Sequence, residues 1–293
     1  MTIILALLLS INPASLRAED PSPMGPRLIE WVRGIEGKLP AGRRDYIKSR
    51  LKTMGVPFRV MPFDTVVVTP RRKNRIAGEN IIVTFGKGTR TIVLGAHLDA
   101  VPGSPGANDN GGGVAVLLGL IQTLKERPWN HRIEFVFFDQ EEEGLFGSLF
   151  YVRRSTTQQN HRAMINLDVV GSGDEIFVGP VGGGDDDVIM PFIRKHSRSF
   201  GTRYQEHSFY PGSDHLSFAN AGLENISISV VPRGDAGRLA ALMRGDRIAP
   251  KDFPIVLRTM HTPQDNSSNV SPTALALAFD FTKGVLLLLD AAN

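Results

Sequence analysis

Several acidic and histidine side chains of this sequence stand where they could bind divalent metal ions and activate water. Each follows an apolar run closely or lies in a polar loop: His97, Asp99, Asp109, Glu141, Glu142, Asp168 and His261. Imidazole and carboxylate ligands suit zinc, with manganese and cobalt as alternatives. The chain contains no cysteine, so no thiolate is available as a ligand. Cysteine usage therefore gives no indication of the redox compartment.

Three apolar runs carry most of these side chains just after their carboxyl ends. The runs at residues 91–96, 133–138 and 163–167 have the continuous apolar character of strands that are buried on both faces. In an open parallel sheet, ligands bind in the crevice outside the carboxyl ends of the strands. We therefore expect the polar residues that follow these runs to converge at one edge of a sheet.

The crowding of acids has an electrostatic consequence. A lone histidine at a strand end is usually a surface residue, and a pair of glutamates in a loop is usually solvated. Only the joint arrangement is informative. Carboxylates placed side by side raise one another's pKa unless positive charge lies among them. A pair of divalent cations would supply that charge, and the sequence therefore predicts a metal centre.

The rest of the chain alternates strands with helices. Helices are predicted at residues 27–54, 114–124, 145–153, 187–200 and 272–288, and further strands at 65–68, 80–83 and 226–230. The first two of these strands are expected to form an edge hairpin or meander. Ser271 is expected to cap the last helix, with Pro272 at its first position. This alternation predicts a single α/β domain with a mostly parallel, mixed β-sheet and helices on both faces.

The composition is that of an ordinary globular protein. Of the 293 residues, 42% are hydrophobic and 22% charged, and the formal net charge is +3. Basic and acidic residues are interleaved, and no Lys/Arg-rich tract is interspersed with aromatic residues. Nucleic acid is therefore not an expected partner. The sequence leaves the oligomeric state open.

The N-terminus predicts a signal peptide at residues 1–18. The apolar run at residues 2–9 is too short to cross a bilayer, which takes about 20 residues, and small residues around Ala18 are typical of a cleavage site. The segment lacks Lys or Arg before the run, so a frayed apolar terminus is the alternative. On the first interpretation, residues 19–26 form a linker and residues 27–293 the domain. The protein would then be secreted or periplasmic, with no stable membrane anchor after cleavage.

The motifs resemble those of the co-catalytic di-zinc aminopeptidases, a family that includes bacterial leucine aminopeptidases. The matching segments occur in the family's order: His97-Leu98-Asp99, residues 106–110, residues 141–148, Asn166-Leu167-Asp168, Ser213-Asp214-His215 and His261-Thr262. The resemblance covers about the last two hundred residues. It implies a phosphorylase/hydrolase-like zinc exopeptidase architecture and a peptide as substrate.

The resemblance also implies roles for individual residues. Two zinc ions would be held by His97 and Asp168, by Glu142 and His261, and by Asp109 as the bridge. Glu141 would be the general base, because only residues 141–144 fit the family's Glu-Glu-x-Gly pattern. Asp99 would orient His97 through its free ring nitrogen, and the hydroxyl of Tyr210 would help to hold the oxyanion. Tyr210 is equally well interpreted as a loop aromatic.

Two further features follow from the resemblance. The peptide bond between Asp109 and Asn110 is expected to be cis, whereas the sequence alone suggests only a glycine-rich turn. Asp214 and His215 are expected to brace the loop that contains them rather than to bind metal. Residues 233–258 are read either as a lining of the substrate pocket or as a surface loop. The other histidines, His131, His161, His196 and His207, are expected at the surface.

Three rival functions share parts of this pattern. A glutaminyl cyclase has the same fold and forms N-terminal pyroglutamate at a single zinc. Cyclase-like sequences tend to carry an acid where this chain has Ser213, and they interrupt the run at residues 141–148, so both features favour the peptidase. The larger dimeric metallopeptidases insert a dimerisation domain, for which this chain has no room. A non-enzymatic binding module would lose ligands, whereas all five positions are filled here. Dipeptidase and carboxypeptidase action stay open.

Overall fold

The structure is a computed structural model that describes residues 23–68, 73–154, 160–182 and 187–292. The predicted signal peptide at residues 1–18 lies outside the described residues, as does the first half of the predicted linker. The first helix begins at Gly25, inside the segment that was expected to be linker. Within the described ranges, no helix combines the length and the apolar character needed to cross a membrane.

One eight-stranded sheet runs through the domain. Its strands are β1 (Arg59–Val68), β2 (Lys73–Phe85), β3 (Thr91–His97), β4 (Arg132–Phe138), β5 (His161–Leu167), β6 (Glu175–Gly179), β7 (Tyr204–Glu206) and β8 (Asn225–Val231). Their order across the sheet is β1-β2-β4-β3-β5-β8-β6-β7. The central strands β4, β3, β5 and β8 are parallel, whereas β1 and β2 form an antiparallel hairpin at one edge. The predicted mixed α/β sheet and its edge hairpin are confirmed.

The three strands that carry the predicted ligands are neighbours in the centre of the sheet. Every residue of β3 is buried, and so are six of the seven residues in β4 and in β5. Burial on both faces explains why these strands are apolar throughout instead of alternating. In the register of the sheet, His97 of β3 lies opposite Phe138 of β4, and Gly95 lies opposite Asn166 of β5. The carboxyl ends of the three strands therefore meet at one edge.

Helices cover both faces of the sheet. They are α1 (Gly25–Ile35), α2 (Pro40–Thr53), α3 (Gly113–Leu124), α4 (Phe146–Arg154), α5 (Met190–Ser197), α6 (His215–Ala219), α7 (Asp235–Met243), α8 (Ile255–Thr259) and α9 (Pro272–Ala291). Helices α1, α3, α5 and α9 pack together on one face, and α4 and α6 pack together on the other. The last helix begins as predicted, because the hydroxyl of Ser271 accepts the N–H of Ala274 at 3.3 Å.

The prediction of one helix over residues 27–54 is wrong. The structure divides this segment into α1 and α2, separated by four residues. Gly37 adopts a φ of +68°, which glycine tolerates without strain. Leu39 is extended in front of Pro40, as expected for a residue that precedes proline. The regular apolar spacing of α1 ends at Ile35, and Gly37 and Pro40 are signals of the break that the single-helix prediction overlooked.

Other differences lie in the second half of the chain. Helix α5 is shorter than the predicted helix at residues 187–200, and the short elements β6, β7, α6, α7 and α8 were not predicted. His131 is buried, and its backbone N–H donates to the Asp290 carboxylate at 3.0 Å, so its assignment to the surface is wrong. His161, His196 and His207 are half-buried. The ring of His161 lies 2.7 Å from the carbonyl of Glu224, whereas the rings of His196 and His207 pack against the aromatic rings of Phe200 and Phe177.

Candidate metal centre

The carboxyl ends of β3, β4 and β5 bring most of the predicted site residues together. His97 is the last residue of β3, Asp168 directly follows β5, and Glu141 and Glu142 follow β4 within four residues. Two loops complete the group. One contributes Asp109, just before α3, and the other contributes His261, after α8. The predicted convergence at one edge of the sheet is observed.

The carboxylate of Asp109 lies between two imidazoles. Its Oδ1 atom is 3.0 Å from Nε2 of His97, and its Oδ2 atom is 3.0 Å from Nε2 of His261. Nε2 of His97 is also 3.5 Å from Oδ1 of Asp168, and Nε2 of His261 is 3.4 Å from Oε2 of Glu142. These five side chains therefore form two triads that share only Asp109, and a third group of possible ligands joins His97 and Glu142 with Glu141.

These two triads fit divalent cations. Ligands held tetrahedrally at about 2.0–2.1 Å from a zinc ion would be about 3.3 Å from one another, which is close to the imidazole–carboxylate distances in each triad. Oε1 of Glu142 and Oδ1 of Asp168 are buried and have no hydrogen-bond partner among the described residues. Since buried polar atoms are normally satisfied, such oxygens indicate a partner other than a protein group. His97 and Asp109 are buried, and His261 is exposed at the entrance.

The protein groups alone give this site strongly shifted pKa values. Burial raises the pKa of Glu141 to about 9, with the nearby acids Asp214 and Asp168 adding to the effect. Burial likewise raises the pKa of Glu142 to about 7, reinforced by Asp109. Burial penalises a charged Asp109 as well, but the two imidazoles outweigh it and hold the pKa of this carboxyl well below its usual range. Additional positive charge near these carboxylates would therefore stabilise their ionised forms.

The segment that carries Asp109 is built around polar contacts. The peptide bond between Asp109 and Asn110 is cis, as predicted. The side chain of Asn110 is fully buried, donates to the carbonyl of Leu167 at 2.8 Å and accepts the N–H of Gly113 at 3.0 Å. Asn110 thus connects the end of β5 with the first turn of α3 and fixes the Asp109 backbone between them.

Asp99 makes contacts that differ from those implied by the resemblance. Its Oδ1 atom is 3.6 Å from Nδ1 of His97, which is beyond hydrogen-bond distance. Its two carboxylate oxygens instead accept the backbone N–H groups of Glu141 and Glu142, each at 3.1 Å. In this structure Asp99 therefore holds the segment after β4 in place, and it lies beside His97 without hydrogen bonding to it.

The side chain of Tyr210 reaches the centre next to Asp168. Its hydroxyl donates to the backbone carbonyl of Asp168 at 3.2 Å and is 2.5 Å from the hydroxyl of Ser229.

Asp214 and His215 are fully buried at the start of α6, outside the two triads. Burial raises the pKa of Asp214 to about 7 and lowers that of His215 to about 4, so both tend toward their neutral forms.

Two residues that support the centre were missed in the sequence. The carboxylate of Asp265 accepts the N–H groups of Asn108 at 2.7 Å and of Asp109 at 3.2 Å. Its place four residues after His261 was the available signal. Arg43, on α2, donates to backbone carbonyls of the same region. No pattern in the sequence points to Arg43, because it lies far from every motif.

A cavity of about 130 Å³ opens beside the triads. Its wall opposite the ligands is apolar and includes Phe177, Leu239, Val256 and Met260. Phe177, Leu239 and Val256 belong to a small apolar cluster that is separate from the main core, and Met260 packs against it. It is here called the pocket cluster and consists of Val169, Phe177, Tyr210, Val231, Ala236, Leu239 and Val256. Helices α7 and α8 supply part of this wall, so the segment at residues 233–258 does line the pocket.

The chain matches a known protein family over most of the domain. The model of peptidase family M28 aligns with residues 80–285, which is well over half of the chain and includes every ligand of the two triads.

Individual relatives are similar over shorter or more diverged stretches. Aminopeptidase YwaD of Bacillus subtilis is 31% identical over 195 residues, which are 64% of this chain and 39% of that protein. The chain thus spans less than half the length of the curated relatives it matches.

Among solved structures, a zinc aminopeptidase from Bacillus subtilis superposes with a TM-score of 0.73 at 16% identity, covering 92% of this chain and 95% of that one. A glutaminyl cyclase from Porphyromonas gingivalis superposes with a TM-score of 0.68 at 21% identity, covering 91% and 95%. At these identities the superpositions establish the fold.

Replacing Asn110 tests the link between β5 and α3. In Asn110→Ala, the Leu167 carbonyl and the Gly113 N–H lose their partner inside the core, so we expect the free energy of unfolding to fall by about 1–3 kcal/mol. Urea unfolding measures this change. The exposed Asn220, replaced in the same way, is the control and should change by less than about 0.5 kcal/mol. Equal stability of the two variants would contradict the assigned role.

Proposed function

The chain belongs to peptidase family M28, and we propose that it is a zinc-dependent exopeptidase that hydrolyses the N-terminal peptide bond of peptides. One observation carries the proposal. The two oxygens of Asp109 each lie 3.0 Å from the imidazole of a different triad. That geometry is suited to a carboxylate that bridges two cations.

We propose two zinc ions per chain. His97 and Asp168 would hold one, Glu142 and His261 the other, and Asp109 both. The donor set supports zinc because it combines imidazoles and carboxylates without thiolates. A solved structure with the same fold is described as a zinc aminopeptidase. When bound, such a pair of ions polarises the substrate carbonyl and makes water a strong nucleophile at neutral pH.

The chain's own residues perform the proton transfers. Glu141 lines the cavity beside His97 and Glu142, where its carboxylate would accept a proton from the attacking water and deliver it to the nitrogen of the leaving amine. Asp99 would keep Glu141 in place through the backbone hydrogen bond described above. Tyr210 would donate its hydroxyl to the developing oxyanion. That role requires the hydroxyl to leave the Asp168 carbonyl to which it donates in the structure.

The charge distribution in the cavity favours a substrate with a free amino terminus. Glu141 and Asp168 stand at its polar end, and no Lys or Arg occurs among the described residues that line it. Glu141, which is not assigned to a zinc ion, would attract a substrate ammonium group, whereas a terminal carboxylate would find no Lys or Arg side chain there. This asymmetry supports an aminopeptidase over a carboxypeptidase.

The apolar wall suggests which terminal residue is preferred. Side chains from β6, α7 and α8 enclose the cavity beside the ligands, and an apolar side chain of the substrate would be removed from water there. We propose a preference for leucine-like residues at the substrate N-terminus.

A glutaminyl cyclase is the second candidate, because one such enzyme shares the fold. Two local features favour the peptidase. Ser213 is fully buried and its hydroxyl accepts from Asn166 at 2.9 Å, so a neutral residue stands where cyclase-like sequences tend to carry an acid. The Glu-Glu-x-Gly-Leu-x-Gly-Ser run at residues 141–148 is uninterrupted.

Export of the protein is also proposed, on the apolar run and small residues within positions 1–18. Secretion or a periplasmic location would follow from cleavage after Ala18.

The choice between the two activities can be made on the purified protein. We expect release of p-nitroaniline from leucyl-p-nitroanilide, close to two equivalents of zinc per chain by elemental analysis, and loss of activity after chelation. A glutaminyl peptide should remain uncyclised under the same conditions. Cyclisation with a single zinc and no anilide cleavage would reverse the assignment.

The two neighbouring glutamates should respond differently to substitution. Glu141→Gln keeps the ligands and removes the proton acceptor, so turnover should fall by about 10²–10⁴-fold while zinc content is retained. Glu142→Ala removes a ligand and should lower the zinc content as well. The matched control is Glu143→Gln, at the exposed position of the same run, which should keep both. Near-normal turnover by Glu141→Gln would refute the proposed mechanism.

Filling the cavity should alter the substrate preference. Val256 lines the cavity and is buried, so Val256→Phe should lower kcat/KM for leucyl-p-nitroanilide by about 10-fold or more and affect the alanyl substrate less. The exposed Val66 on β1, replaced by Phe, is the control for general damage. A uniform loss on both substrates would show that the cavity does not receive the terminal side chain.

A further inference from the structure

Arg43 is a fully buried arginine that contacts the backbone behind the metal centre. It lies on α2, and its side chain has no exposed surface. Its Nε atom donates to the carbonyl of Leu98 at 2.5 Å, Nη1 to that of Pro105 at 3.2 Å and Nη2 to that of Gly106 at 2.9 Å. One guanidinium thus joins the segment after β3 to the start of the segment that carries Asp109.

The positive charge of Arg43 is balanced only by carboxylates that do not contact it. No carboxylate of the described residues lies within ion-pair distance of it, and its hydrogen-bond acceptors are backbone carbonyls. Burial lowers the pKa of Arg43, and four acids act against that effect: Asp99, Asp109, Asp265 and Glu142. A buried charge without a compensating partner is strongly unfavourable. Arg43 therefore belongs electrostatically to the metal centre, although it touches no ligand side chain.

The close packing around Arg43 also restricts a glycine in the motif. Gly106 has a φ of +64°, and a Cβ atom there would lie 2.5 Å from Cβ of Ala100 and 2.8 Å from Nη1 of Arg43. On the other side of the same segment, Asp265 accepts the N–H groups of Asn108 and Asp109. The carbonyls of Pro105 and Gly106 thus accept from the buried guanidinium of Arg43. The backbone N–H groups of Asn108 and Asp109 donate to the buried carboxylate of Asp265.

We propose that Arg43 is a positioning residue for the metal centre, which fixes the separation between the segment that contains His97 and Asp99 and the segment that contains Asp109. Its planar fork holds three carbonyls at once, which the single ammonium group of a lysine cannot reproduce. Its positive charge also offsets the carboxylates gathered at the centre. The inference rests on the proposed zinc site and adds to it a residue from outside every motif.

Zinc affinity is the measurement that tests this role. Arg43→Lys keeps the charge and loses the fork, and Arg43→Met loses both. Since groups that orient metal ligands typically contribute 10–100-fold to metal affinity, we expect both variants to bind zinc about 10–100-fold more weakly in competition with a chromophoric chelator. At saturating zinc, kcat should fall while KM stays nearly constant, because misplaced ligands slow the reaction of the bound substrate.

Arg162 provides the matched control. It is also buried, but it lies near the start of β5, at the opposite end of that strand from Asp168. Arg162→Lys should lower the melting temperature of the protein while leaving zinc affinity within about two-fold, as expected for a distant site. A structural role for Arg43 would give the same pattern as Arg162.

The outcomes separate this inference from the proposed function. If the wild-type protein binds no zinc, the proposed function fails and this inference falls with it. If the wild type binds zinc and both Arg43 variants bind it as tightly, only the positioning role is overturned. If Arg43→Lys does not fold while Arg162→Lys does, Arg43 is required for folding, and the positioning role is likewise overturned.

Discussion

The carboxylate of Asp109, placed between two imidazoles, is the interaction on which the rest of this structure depends. Two nitrogen atoms from distant parts of the chain each lie 3.0 Å from one of its oxygens. To hold them there, the fold must fix the end of β3, the loop before α3 and the loop after α8 to within a fraction of an ångström. The buried groups around Asp109 serve this purpose. Asn110, Asp265 and Arg43 all bind backbone atoms near the ligands and leave the ligand oxygens free.

The sheet makes this precision possible because its central strands are rigid. Buried on both faces and paired in parallel register, β3, β4 and β5 end side by side. Polar groups at those ends cannot all be hydrated, which is why burial shifts the pKa values of Glu141 and Glu142 so far upward. The mutual repulsion of these buried carboxylates therefore has two effects. It raises their pKa values in the protein alone, and it increases their affinity for cations. Asp99 adds to the rigidity by tying two of these strand ends together.

Much of this arrangement could be predicted from the sequence. The central strands were predictable because burial on both faces leaves continuous apolar runs, and their order made the convergence of His97, Asp168 and Glu142 a consequence of parallel topology. The cis bond after Asp109 followed from the family resemblance. The break between α1 and α2 was missed although Gly37 and Pro40 mark it, because the prediction extended the apolar spacing of residues 28–35 beyond them. Arg43 was missed because its partners are backbone carbonyls, which leave no trace in residue types, and Asp265 was missed although it follows His261 by only four residues.

The pocket cluster has a consequence for how the proposed enzyme can diversify. Its side chains pack apart from the main core, and much of its wall comes from α7 and α8, which lie outside the ligand-bearing strands. Exchanging one apolar side chain for another in these helices would reshape the cavity without moving the strand ends. For the proposed activity, selectivity and chemistry would therefore reside in separately mutable parts of the chain. A few substitutions in these helices could then change which peptides are accepted while the proposed reaction stayed the same.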